Sequence, residues 1–380
     1  MPPRREGRLA ALSALALALA HGGAAPPCAR SAQRDVSGAP YALVAAPGSP
    51  FALCPVHDPA VARDDSAAGG GALYLLSTDA GGLPAPPFLN LRVSRDNGTT
   101  WAAAGAIFDA IPAWALAAVP RATNIWAPDV SLSASGEWRV YYAVSSFGSE
   151  TSVIGLAATP SLAQPAWADR GLVLRSDSGD GFNAIDPNLF AGVDAAGAPE
   201  SWLLHGSFWD GIFMARVDAA SGLLATGAAA ARVHLAQRAA PDALEGAFMV
   251  QRGAFHYLFA SFDLCCRGVA SNYSVHVGRS ATGAQGPFVD RAGVPMLQGG
   301  GTRVAGGGFG WAASGGQSVL RESVSEGVGS FRMVLHAYDG ESGAPFLNFV
   351  EVRWTSDGWP EALSEEGEEE GVEGEEGGTA

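Results

Sequence analysis

Five stretches of mostly apolar residues that end in small or polar ones recur along the chain: Leu73 to Ser77, Val140 to Ser145, Trp202 to Ser207, Tyr257 to Ser261 and Val334 to Tyr338. They are spaced roughly 55 to 75 residues apart. Each is followed by a third strand-like segment with a turn: Leu91 to Gly98, Ile154 to Ala157, Phe213 to Val217, Val275 to Arg279 and Phe349 to Trp354. Glycine and proline punctuate the sequence throughout, and helical spacing of apolar residues is hard to find. A strand unit repeated five times with no helices between copies predicts an all-β, five-bladed β-propeller. A two-sheet sandwich would account for the strands and turns, but gives no reason for the same three-part unit to recur.

Ahead of each repeated strand lies a shorter segment with a polar or special residue: Asp58, Asp129, Asp186, Glu245 and Gly316. Asp186 stands out, because Ile185, Pro187 and Leu189 surround it with apolar side chains and an ionised carboxylate there is costly unless it faces a polar cavity. Asp-Pro is also a common turn dipeptide, so the residue taken alone has a purely structural explanation. If each short segment is the first strand of a blade, it lies nearest the propeller axis. Carboxylates far apart in sequence then converge on one cavity.

Composition changes this picture only at the termini. Arg4, Arg5 and Arg8, the apolar run Leu9 to Ala20 and the small residues through Ala25 have the layout of a secretory signal peptide over residues 1–25. The apolar run is too short to cross a bilayer comfortably and no later segment is longer, so no membrane association is expected. The net charge of -15 is concentrated in residues 361–380, which hold nine glutamates and read as a disordered Glu/Gly-rich tail. The propeller is assigned to residues 35–360. No basic cluster suggests nucleic acid. Cys28, Cys54, Cys265 and Cys266 form an even set that can pair in an exported protein, with connectivity left open. Asn97-Gly98-Thr99 and Asn272-Tyr273-Ser274 are glycosylation sequons.

Several carboxylates in one funnel, with aromatics and no cationic cluster, suit cleavage of a glycosidic bond. That reaction needs an acid to protonate the leaving oxygen and a carboxylate to activate water or attack the anomeric carbon. Clustered carboxylates also raise one another's pKa, which keeps one protonated near neutral pH. Trp126, Phe147, Phe208 and Trp209 could stack on sugar faces, and each could equally be core packing. The histidines lack an HExxH spacing, no G-x-S-x-G elbow occurs, and no lysine follows the glycine-rich stretches as in a phosphate-binding loop. No metal ligands are assigned.

The motifs Asn124-Ile125-Trp126-Ala127-Pro128-Asp129, Ser145-Ser146-Phe147-Gly148, Ser152 to Ala157, Asn183 to Asn188, Gly206-Ser207-Phe208-Trp209 and Cys265-Cys266-Arg267-Gly268 together resemble glycoside hydrolase family 43, specifically its endo-acting α-1,5-L-arabinanases. The resemblance extends from His57-Asp58-Pro59 to Asp357-Gly358-Trp359-Pro360. It implies a five-bladed propeller and an inverting mechanism with Asp58 as general base, Glu245 as general acid and Asp186 orienting Glu245 and raising its pKa. For inversion the carboxyls of Asp58 and Glu245 should be roughly 6.5 to 9.5 Å apart. Trp126, Phe147, Gly148, Asn183, Ser207 and Phe208 are implied to line the substrate cleft. Asn183 could alternatively cap the turn before Asp186.

Two positions depart from the family pattern. Glu245 is followed by Gly246-Ala247 where Glu-Ala-Pro is usual, and Gly316 stands where a histidine near a central calcium or sodium ion is usual. No cofactor is therefore required by the reading, and a central Ca2+ rests on the resemblance alone. The expectation is a secreted, monomeric endo-arabinanase acting on arabinan or related pectic side chains. The alternatives are an exo-acting α-L-arabinofuranosidase or β-xylosidase, or a carbohydrate-binding propeller without turnover.

Overall fold

The computed structural model describes residues 30–32, 34–39, 43–45, 54–78, 87–194, 196–227, 231–325 and 328–362. The signal peptide and all but the first two residues of the acidic tail lie outside them. The chain folds as a five-bladed β-propeller.

Blade 1 has strands His57–Asp64, Ala72–Thr78, Phe88–Ser94 and Thr100–Phe108, with Val44–Ala45 added in parallel at its outer edge. Blade 2 comprises Trp126–Leu132, Trp138–Val144, Ser152–Thr159 and Ala168–Ser176, and blade 3 comprises Asn188–Val193, Pro199–His205, Ile212–Arg216 and Val233–Ala236. Leu244–Arg252, Phe255–Phe262, Ser274–Ser280 and Thr302–Ala305 form blade 4. Trp311–Ser325, Val328–Asp339, Pro345–Trp354 and Pro360–Ala362 form blade 5. Every blade is an antiparallel meander whose first strand is innermost, and first strands of successive blades contact one another around the axis. The one α-helix among the described residues, Ala113–Ala118, lies between blades 1 and 2.

The second strands are largely apolar because most of their residues are buried on both faces. In Trp138–Val144, Trp138, Val140, Tyr142 and Val144 pack towards blade 1, while Tyr141 packs towards blade 3. The hydrophobic core is accordingly divided into layers between blades, one for each neighbouring pair. The layer between blades 5 and 1 closes the ring through Val56, Leu73, Leu75, Trp101, Val334 and Leu347, and Val56 N–H donates to Pro345 O at 3.1 Å.

The fourth strands were not visible in the sequence pattern. Ala168–Ser176 is mostly exposed on the rim, and its apolar run is only the three residues Leu172, Val173 and Leu174. The last strand also corrects the tail boundary: Glu361, assigned to the tail by composition, lies in this strand and forms an ion pair with Arg291 at 3.1 Å.

Each innermost strand has a β-bulge near its start. In blade 1, His57 pairs with Thr78 and Ala60 with Leu76, so Asp58 and Pro59 oppose the single residue Ser77. The same two-against-one arrangement occurs after Trp126 and Glu245 and after Gly315. In blade 3 it lies between Ile185, whose carbonyl accepts from Gly206 N–H, and the Asn188–Leu204 pair. The first bulge residue has positive φ in every blade: Asp58 +45°, Ala127 +36°, Asp186 +53°, Gly246 +59° and Gly316 +59°. This repeat sets the true equivalence of the blades. Asp129 lies two residues beyond the position of Asp58, and Glu245 lies one residue before it, so the five residues aligned from sequence are not structural counterparts.

Candidate active site

The bulges open the N-terminal ends of the innermost strands into a small cavity of about 40 Å³, lined by Asp58, Asp129, Asp186, Gly246, Gly316 and Gln317 among others. Carboxylates from blades 1, 2 and 3 thus share one chamber, and Glu245 of blade 4 joins them electrostatically, as its charge acts on both Asp58 and Asp186.

Each carboxylate is held differently. Asp58 Oδ2 accepts a hydrogen bond from Thr78 Oγ1 at 2.9 Å, and Thr78 Oγ1 in turn accepts from Ala127 N–H at 2.7 Å. Asp186 Oδ2 accepts from Gly246 N–H at 3.0 Å, which ties the blade 3 carboxylate to the residue following Glu245. Glu245 receives two bonds: Ser207 Oγ donates to Oε2 at 2.7 Å and Tyr273 OH donates to Oε1 at 2.9 Å. Beneath them, Gln317 Nε2 donates to Gly246 O at 2.6 Å and Ser261 Oγ donates to Gln317 Oε1 at 2.7 Å. Gly246 does loosen the intrinsic backbone preference after Glu245. These bonds to its N–H and carbonyl replace that stiffness.

Burial is the largest influence on Asp58, Asp186 and Glu245 and disfavours their ionised forms. Asp58 is pushed up to about 7 by burial, opposed by the Thr78 hydrogen bond and reinforced by the charge of Glu245. Asp186 is held well above the ordinary carboxylate range by burial and by the charges of Glu245 and Asp58. Glu245 is raised by burial, against the lowering effect of its bonds from Ser207 and Tyr273. All three shifts favour the protonated form, the direction that an acid group in such a cluster requires.

Asp129 is different in kind. It is buried, its Oδ1 accepts from Asn188 Nδ2 at 3.0 Å and its Oδ2 accepts from Leu189 N–H at 2.8 Å, so it clamps blade 2 to blade 3.

The residues implied to line the cleft separate in the same way. Trp126, partly exposed, occupies the position in blade 2 that Glu245 occupies in blade 4. Phe147 is 41% exposed and, with Gly148, lies on the loop leaving the second strand of blade 2, at the bulged end of the propeller. Phe208 is half-buried with φ +53° and donates its N–H to Leu244 O at 2.9 Å. Asn183 is buried and its Oδ1 accepts from Ser152 Oγ at 2.6 Å. Ser207 is buried and its hydroxyl donates to Glu245 Oε2.

Sequence reasoning did not find Thr78, Tyr273, Ser261, Gln317 or His336. Thr78, Ser261 and His336 face the bulges from the second strands, paired with His57, Glu245 and Gly315. The signal was present in the polar ends of the repeated apolar stretches. Tyr273 could not be singled out, since it sits inside a glycosylation sequon on an unremarked loop.

A central ion of the kind implied by the resemblance does not fit these residues. A Cβ at Gly316 would lie 2.6 Å from Asp58 Oδ1 and 2.8 Å from His336 Nδ1, leaving no room for an imidazole there. Both oxygens of Asp129 are engaged, and among the described residues no group of three His, Cys, Asp or Glu side chains is placed to hold a metal. Cys265 and Cys266, for which no pairing was readable, form a disulfide with each other, and Cys54 is also disulfide-bonded.

A five-bladed propeller with three hydrogen-bonded carboxylates from different blades at one end of its axis has the makings of a glycoside hydrolase. The family model for Glycosyl hydrolases family 43 matches residues 49–360, and the chain belongs to that family. It is similar to the extracellular endo-α-(1→5)-L-arabinanase 1 of Bacillus subtilis (strain 168), 37% identical over 310 residues covering 80% of this chain and 87% of the relative. It is also similar to the extracellular exo-α-(1→5)-L-arabinofuranosidase of Cellvibrio japonicus (strain Ueda107), 32% identical over 82% of this chain and 87% of that protein. The solved family 43 endo-arabinanase from Bacillus licheniformis superposes with a TM-score of 0.70 at 38% identity, covering 80% of this chain and 97% of that one.

Proposed function

We propose that the protein is a secreted endo-arabinanase that hydrolyses internal α-1,5-L-arabinofuranosidic bonds with inversion. The observation that carries this reading is the convergence of Asp58, Asp186 and Glu245 at the bulged end of the innermost strands, with Glu245 held by Ser207 and Tyr273. The similarity to endo-arabinanases over four-fifths of the chain supports the substrate, and the extracellular relatives support export.

In this scheme Asp58, ionised, accepts a proton from water as it attacks the anomeric carbon, with Thr78 fixing one of its oxygens. Glu245, protonated, delivers its proton to the departing sugar oxygen. Asp186 acts through Glu245: its bond from Gly246 N–H fixes the backbone that aims the acid, while burial raises the acid's own pKa. Trp126, Phe147 and Phe208 offer stacking surfaces, Gly148 leaves the turn beside Phe147 open, and Asn183 would reach a sugar through Nδ2. Arabinan itself, with no metal, nucleic acid or membrane partner, is the expected ligand of a monomer.

The test is product analysis of debranched arabinan after incubation with the wild type and with Asp58→Asn. Mixed short oligosaccharides from the wild type and none from the variant support the reading. Release of single sugars from chain ends would move the protein to the exo-acting alternative, and binding without any product would remove the enzyme reading.

A further inference from the structure

The residue assigned as base sits on a strained backbone, and a side chain with no part in the acid/base scheme holds it there. Asp58 has φ +45°, an unfavourable conformation for a residue with a Cβ. Its N–H, displaced from the strand ladder by the bulge, donates to Nδ1 of His336 at 3.1 Å. His336 comes from the second strand of blade 5 and is 1% exposed.

The hydrogen bonds fix the tautomer. A backbone N–H can only donate, so Nδ1 is the acceptor nitrogen, and the neutral ring carries its proton on Nε2. Burial, and then the neighbouring His57 ring, holds His336 well below the usual histidine range and keeps it neutral. Nε2 lies 3.2 Å from Tyr338 OH, which also accepts from Cys266 N–H at 2.9 Å. The phenol hydroxyl also lies 2.9 Å from His57 Nε2 and donates to Cys266 Sγ at 3.8 Å. His336 is thus gripped from behind through Tyr338 by the loop that carries the Cys265–Cys266 disulfide.

The ring reaches Asp58 because position 316 has no side chain. A Cβ there would fall 2.7 Å from His336 Cε1, 2.8 Å from its Nδ1 and 2.6 Å from Asp58 Oδ1. At these separations something must move, and every neighbour is buried or hydrogen-bonded. Glycine also tolerates the φ of +59° at this bulge.

We propose that His336 is a positioning residue for Asp58, holding the strained bulge that aims the carboxylate, and that Gly316 provides the room in which its imidazole sits. The departure at position 316 is then part of how this chain organises its base. The proposal rests on the reading of Asp58 as base.

The experiment compares kcat and KM on debranched arabinan for the wild type, His336→Ala, His336→Asn, Gly316→Ala, Asp58→Asn and the double variant Asp58→Asn/His336→Ala, with thermal unfolding of each. His336→Ala should lose about 10²-fold in kcat, the scale of a misaimed catalytic group, with KM within about threefold. His336→Asn, whose Oδ1 can take the place of Nδ1, should recover about tenfold of that loss, and Gly316→Ala should lower kcat without raising KM. The double variant should be no slower than Asp58→Asn alone, since His336 acts through Asp58. A kcat for His336→Ala or Gly316→Ala close to wild type would overturn the proposal. So would equal impairment of the Ala and Asn variants, or additive losses in the double variant. If His336→Ala fails to fold, the Asn and Gly316→Ala variants still decide. Wild-type turnover by Asp58→Asn would instead overturn the base assignment itself.

Discussion

Two rings of five residues surround the same axis, two positions apart on the same strands, and treat their carboxylates in opposite ways. The upper ring, Asp58, Ala127, Asp186, Gly246 and Gly316, lies in the bulges with positive φ throughout. The lower ring, Ala60, Asp129, Asn188, Phe248 and Ser318, lies where each innermost strand regains regular pairing. Asp129 has both oxygens filled by donors from blade 3, and Asn188 passes the same device on by accepting from Met249 N–H of blade 4 at 2.9 Å. Among the described residues, Asp58 and Asp186 each accept a hydrogen bond on Oδ2 alone. The bulge is a property of the blade, since Ala127 has it without a carboxylate. Blades 1 and 3 put a carboxylate in the bulge, and blade 4 puts Glu245 one residue before it, held by Ser207 and Tyr273.

The largest expected effect comes from exchanging the rings' carboxylates for amides. Asp58→Asn should lower kcat by about 10²- to 10⁴-fold, the usual contribution of a general base, while remaining folded. Asp129→Asn should keep kcat within a few-fold and instead lose about 1 to 3 kcal/mol in chemical denaturation, because one acceptor becomes a donor facing a donor. If Asp129→Asn were inactive and fully stable, the distinction between the rings would fail.

Asp186→Asn should cost less, on the order of 10- to 100-fold in kcat, and displace the alkaline limb of the pH profile. Activity needs Glu245 protonated, so it falls as pH rises through that group's pKa. Removing a neighbouring carboxylate lowers this pKa, and the limb should move to lower pH. An unchanged rate and profile would return Asp186 to a turn residue.

How much of this could be read beforehand differs between the rings. The repeated apolar stretches marked the second strands of all five blades because those strands are largely buried on both faces. Asp186 was legible as a carboxylate in apolar company, while Asp58 and Glu245 stood out only as acidic residues ahead of repeated strands and took their roles from the family resemblance. The bulge was not legible, because its positive φ falls on Asp, Ala and Gly alike, with proline following in only three blades. Without it Asp129 looked like a further member of the same set. The hydrogen-bond partners Thr78 and His336 are brought in by pairing between strands, and Tyr273 by the loop before Ser274, which residue identity does not reveal.

Smaller effects sharpen the electrostatic side of the comparison. Thr78→Val removes a bond that stabilises ionised Asp58, so its pKa should rise further and the acid limb of kcat/KM should move to higher pH, with a few-fold loss at neutral pH. Asp58 also has a consequence for stability. Its folded pKa, about 7, lies above its unfolded value, so folding takes up a proton and the stability contribution is full below the unfolded pKa and lost as pH rises through about 7. Asp58→Asn should therefore raise Tm relative to wild type, more at pH 8 than at pH 5; equal Tm differences at both would contradict the shift.

The claim that Asp58 and Glu245 act as an inverting pair is tested most directly by following the anomeric configuration of the first-formed reducing ends by proton NMR, before mutarotation, during hydrolysis of an α-1,5-linked arabino-oligosaccharide. The account predicts the β-anomer first, because water activated by Asp58 attacks the face opposite the bond that Glu245 protonates. Initial release of the α-anomer would show retention and contradict the roles assigned to both residues.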